Sequence, residues 1–114
     1  MAILKQNKQE TRLAKMSLNF ETFKQALTRN PKVIHLSCHG DFDPQKKEFY
    51  LQFETNGEGI LDKFNQSRMK DLIGSDGKNI QVAFISSCYS EQIGEILFNA
   101  GIPVVVCVNQ DSMI

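Results

Sequence analysis

Three short runs of β-branched and apolar residues constrain this chain more than any other feature. They are Val33-Ile34-His35-Leu36-Ser37-Cys38, Ile80-Gln81-Val82-Ala83-Phe84-Ile85 and Ile102-Pro103-Val104-Val105-Val106-Cys107-Val108. Near-continuous apolar runs of this length belong to strands buried on both faces, as in a parallel sheet. Parallel strands need long crossovers, usually helical, and helical patterns lie beside these runs. Asn19 fits an N-cap, with Phe20, Phe23 and Leu27 on one stripe and Pro31 ending the helix by about Asn30. A short helix is expected around 66–73, with Met69, Leu72 and Ile73 on one face and Gly74 as its stop. Ser90 is expected to cap a third helix bearing Ile93, Ile96, Leu97 and Ala100, with Gly101 in its C′ position. Residues 49–61 read as a β-hairpin, because Phe49, Leu51 and Phe53 alternate with polar neighbours and Asn56-Gly57-Glu58-Gly59 supplies a turn. The pattern predicts an α/β domain with a mainly parallel sheet plus a β-hairpin.

A chain of 114 residues holds one domain. Residues 1–16 are polar and aperiodic and read as an N-terminal tail or linker. Thirteen basic residues balance thirteen acidic ones, so no net charge draws the chain to nucleic acid or anionic lipid. No apolar run approaches the roughly 18 residues needed to span a bilayer, and Ala2-Ile3-Leu4 is too short for a signal-peptide core. An odd number of cysteines, three, without CxxC spacing suggests neither a disulfide framework nor a zinc site. A cytoplasmic location is expected. Only six residues follow Val108, so the domain is expected to be cut off there, since a buried parallel strand requires neighbours and helices on both faces. An unpaired sheet edge there would invite self-association.

His39 and Cys88 each stand just past the end of a predicted buried strand, the edge at which open α/β sheets bind ligands. Cys88 also precedes a helix N-terminus, whose partial positive charge favours a thiolate. A histidine in reach would take the thiol proton and return it to a leaving amine. The backbone N–H groups of Gly40 and Cys88 are candidate oxyanion donors at the same edge. Other chemistries fit less well. Papain-like enzymes run Cys then His, the GxSxG elbow is absent, and no phosphate- or dinucleotide-binding glycine pattern occurs, so no cofactor is expected. His35 and His39, four residues apart on an extended strand, lie about 13 Å apart and cannot share a metal ion. Cys38 and Cys107 read as buried, inert thiols and His35 as a core histidine. Phe20, Phe23, Phe84 and Phe98 read as core, and Lys46-Lys47 as a solvated loop tip.

The spacing of His39 and Cys88, 49 residues, resembles that of caspases, which place the histidine about 50 residues upstream. His35-Leu36-Ser37-Cys38-His39-Gly40 resembles the strand-His-Gly motif of caspase-like peptidases, and Phe84-Ile85-Ser86-Ser87-Cys88-Tyr89-Ser90 resembles their strand-(Ala/Ser)-Cys-x-Ser motif. Ala100-Gly101-Ile102-Pro103-Val104-Val105-Val106 is similar to the helix-Gly-strand unit that follows the nucleophile in CHAT domains, caspase-like domains often joined to TPR arrays. The resemblance covers residues 18–112 and implies a caspase-like three-layer sandwich, incomplete at both ends, with 17–114 forming a partial CHAT domain. The strand that precedes the first helix in such domains is expected to be missing. The resemblance further implies a cysteine endopeptidase with His39 and Cys88 as catalytic dyad, oxyanion donors at Gly40 and Cys88, no cofactor, and a protein or peptide substrate. TPR-type repeats in a longer parent chain would be its companions. Metacaspases carry Asp two residues before the nucleophile to bind a basic P1 side chain; here Ser86 stands in its place. A non-catalytic caspase-fold scaffold or regulatory module is the alternative reading.

Overall fold

The computed structural model describes residues 2–5, 14–16, 19–54 and 61–109. Helix α1 (Phe20–Leu27) begins where the sequence predicts. Asn19 Oδ1 accepts the Thr22 N–H at 2.8 Å, and Thr22 Oγ1 accepts the Asn19 N–H at 3.3 Å. This reciprocal box satisfies two otherwise orphaned donors, and an N-cap of this kind contributes about 1 kcal/mol. Helix α1 buries Phe23, Ala26 and Leu27. It is followed by β3 (Val33–Ser37), which comes third among the strands because β1 (Ala2–Lys5) and β2 (Ala14–Met16) precede the helix.

Those first two strands correct the reading of residues 1–16 as an aperiodic tail, and with it the expectation that no strand precedes the first helix. β1 pairs antiparallel with both β2 and β3, setting Ala2 against Leu36 and Lys5 against Val33. Strands of four and three residues carry too few side chains to show alternation, so the sequence pattern there is mute.

The parallel core is as expected. β7 (Val82–Ser87) lies between β3 and β8 (Val104–Asn109), parallel to both, in a five-stranded sheet ordered β2-β1-β3-β7-β8. Ile34, Leu36, Ala83 and Ile85 point to one face and are fully buried under the helices. Each of the larger ones contributes roughly 1.5–3 kcal/mol by leaving water. Helix α2 (Gln66–Asp76) runs through Gly74 instead of stopping there, and Gly77 is its C-cap. Helix α3 (Ser90–Asn99) ends at Ala100, with Gly101 at a φ of +126° in the expected C′ position. Gly94 lets α3 lie directly on β8, since a β-carbon there would collide with Cys107 Sγ and stand 3.2 Å from Val105 Cγ1.

The hairpin proves to be a three-stranded antiparallel sheet of β4 (Gly40–Asp43), β5 (Glu48–Glu54) and β6 (Leu61–Asn65). The proposed Asn56–Gly59 turn lies outside the described residues. Phe53 and Phe64 stack at 4.5 Å, and Phe23 of α1 meets both edge-on, which fastens this small sheet to the helical layer. Arg68 adds a tie by pairing with Asp62 at 2.6 Å while lying 4.1 Å over the Phe20 ring. Of a caspase-like sandwich, the described residues supply the sheet and the helical layer on one face. The other face carries His35, half-buried and edge-on to Phe84 at 6.1 Å, together with Phe84, Val104, Val106 and Val108. The last four are 39–49% exposed, and Phe98 on α3 is 56% exposed, so Phe84, Phe98 and His35 are not the core residues that their composition suggests. No described helix is long and apolar enough to cross a membrane.

Candidate active site

The ladder between β3 and β7 aligns the two motifs. Val33 pairs with Val82 and Ser37 with Ser86, a constant offset of 49 residues. His39 and Cys88 are separated by the same 49 residues. The register is carried one step further by the Cys38 N–H, which donates to the Ser86 carbonyl at 3.2 Å. Both chains therefore leave the sheet at its C-terminal edge, His39 exposed and Cys88 half-buried. The contact that joins them runs through the next residue. A β-carbon built on Gly40 would overlap the Cys88 carbonyl oxygen and would stand 3.3 Å from Ser87 Oγ. Only glycine permits this approach.

The small sheet holds His39 from the other side. The Gln52 N–H donates to the His39 carbonyl at 2.8 Å, and the next pair along is Gly40 with Leu51. Bonded and non-bonded pairs alternate in an antiparallel ladder. Gly40 thus falls in a non-bonded pair, and its N–H points away from β5.

Cys88 sits at the turn from β7 into α3. The residue after it, Tyr89, occupies the N-cap position in a left-handed conformation, with φ 58° and ψ 32° and no side-chain cap bond. The expected cap, Ser90, is instead the first helical residue, fully buried. Its hydroxyl and that of buried Ser87 have no hydrogen-bond partner among the described residues. Two orphaned hydroxyls thus flank Cys88, an uncommon arrangement in a folded protein. Tyr89 meets Phe49 at 5.4 Å, and Phe49 meets Phe42 at 4.8 Å.

Two of the three thiols are held in the protonated form by their surroundings. Burial pushes Cys38 up to about 11. Cys107 is raised as well, by burial first and by the Glu91 carboxylate second. Both are half-buried and not the fully buried core thiols expected, and the raised pKa lowers the thiolate fraction of each near neutral pH. No disulfide forms among the described cysteines. The sequence reading missed the aromatic row and the two serines. Phe42 and Phe49 differ in no local signal from core residues, and a positive φ at a tyrosine has no sequence signature.

A mainly parallel α/β sheet, with the His-Gly and Ser-Cys segments following two adjacent parallel strands, is consistent with a caspase-like class of domain. The family model of the CHAT domain matches residues 1–108, and the chain belongs to that family. No curated protein and no solved structure matches it.

Proposed function

We propose that the chain is the cysteine endopeptidase part of a CHAT protein, with His39 and Cys88 as its dyad. The observation that carries this reading is the contact of Gly40 with the Cys88 carbonyl, which binds the residue after His39 to the turn bearing the thiol. Cys88 loses its proton to His39, and the thiolate attacks the carbonyl carbon of a peptide bond. The Gly40 N–H, turned away from β5, stabilises the oxyanion, with the Cys88 N–H as the proposed second donor. His39 returns the proton to the leaving amine as the C–N bond breaks, leaving a thioester on Cys88. Water, deprotonated by His39, then hydrolyses the thioester and restores the thiol. Peptide substrate, cytoplasmic setting and attachment to TPR-type repeats are parts of the same proposal, and none of its steps requires a cofactor.

The test is alkylation of the purified chain by iodoacetamide at pH 7, with sites located by mass spectrometry, followed by peptide hydrolysis. Cys88 should label ahead of Cys38 and Cys107, and His39→Ala should remove that advantage. Equal labelling of all three thiols would favour the non-catalytic scaffold.

A further inference from the structure

We infer that Phe42, Phe49 and Tyr89 form an apolar subsite beside Cys88, which receives a large apolar side chain next to the scissile bond of a peptide. The inference rests on the peptidase reading of Cys88 and names the class of substrate.

The three rings are on the nucleophile's side of the small sheet. Gly40 and Phe42 are two residues apart on β4 and share one face of the pleat. Gly40 uses that face to meet Cys88, and Phe42 uses it to pair across the ladder with Phe49. On β5 the same face continues through Leu51 and Phe53, both buried. The hydrophobic core therefore runs along β5 and surfaces at Phe49 and Phe42, both half-buried, where Tyr89 completes the row.

Tyr89 distinguishes a binding surface from plain packing. Its left-handed backbone costs a non-glycine residue on the order of 1–2 kcal/mol, and Asn or Gly would make the same turn with less strain. Core packing does not demand the ring either, since it is 38% exposed. An aromatic side chain held at a strained turn, one residue from the nucleophile and open to solvent, has a ligand as its natural partner.

The experiment uses peptidyl acyloxymethyl ketones that differ only in the residue beside the electrophile: Phe, Leu, Asp or Lys. Their rates of labelling at Cys88 are compared in the whole chain. The Phe and Leu probes should react about tenfold or more faster than the Asp and Lys probes. Tyr89→Asn, whose side chain tolerates the left-handed turn, should erase most of that preference. Phe98→Ala, which removes an exposed ring elsewhere, should keep it. Reactivity of Cys88 toward iodoacetamide combined with equal probe rates, or with a preference for Asp or Lys, would overturn the subsite alone. A Cys88 inert to iodoacetamide would overturn the peptidase reading and the subsite with it.

Discussion

The α-carbon of Gly40 and the carbonyl of Cys88 are so close that no β-carbon fits between them. Gly40→Ala should therefore push β4 away from the turn at the head of α3. Overpacking of this kind typically costs about 1–3 kcal/mol. A lower denaturant midpoint, together with slower alkylation of Cys88, is the expected outcome. Gly74→Ala is the control, because Gly74 is helical with open space around it. That substitution should stabilise the chain by up to about 1 kcal/mol.

Cys88→Ala and His39→Ala should each abolish peptide hydrolysis, by a factor on the order of 10⁴ or more, as for other acyl-transfer nucleophiles and their bases. Cys38→Ala and Cys107→Ala should retain activity and alter mainly the melting temperature. Initial rates on a fluorogenic peptide, read beside thermal melts, separate the two kinds of effect.

The seat of α3 on β8 can be tested by a pair of substitutions. Gly94→Ala alone should destabilise by about 1–3 kcal/mol, because the new methyl group meets Cys107 Sγ. Cys107→Ala removes that sulfur, so the double variant should recover part of the loss. A double-mutant cycle from urea unfolding measures the coupling.

The Cys38 thiol, held up near 11 by burial, gives a sign to alkaline stability. An unfolded thiol titrates near 8.5. The folded chain thus holds the Cys38 proton more tightly, and this stabilisation is complete below about pH 8.5. It should drain away as the pH climbs toward about 11. Urea midpoints between these limits should fall more steeply for the wild type than for Cys38→Ala.

We propose that isolated chains associate through β8. That strand ends the five-stranded sheet, and Val104, Val106 and Val108 are exposed on it. Light scattering after size exclusion should show a mass that grows with concentration, and Val106→Lys should shift it toward the monomer. A monodisperse wild-type monomer would refute this association.

The parallel strands and the positions of His39 and Cys88 were legible because buried strands write long β-branched runs into a sequence. The same reading misplaced what depends on three-dimensional surroundings. Phe84 and Phe98 look like core residues by type, but one lies on the uncovered face of the sheet and the other on the outside of α3. Gly74 looks like a stop signal, yet burial of Met69, Leu72 and Ile73 extends the helix through it. Ser90 looks like a cap, but the turn after Cys88 moves that position to Tyr89. β1 and β2 escaped notice because short antiparallel strands have little periodicity to display.

The constant offset along β3 and β7 also separates two things that sequence distance merges. The rung on which Ser37 and Ser86 stand, each two residues before His39 and Cys88, is set by interstrand hydrogen bonding, not by the length of chain between them. Added residues at the exposed turn 44–47 lengthen a loop whose closure entropy grows only logarithmically, by about 0.6 kcal/mol per doubling. Insertions there would change the numbering gap between histidine and cysteine while sparing their alignment. Across relatives the gap should drift, and the pairing of the strands beneath it should not.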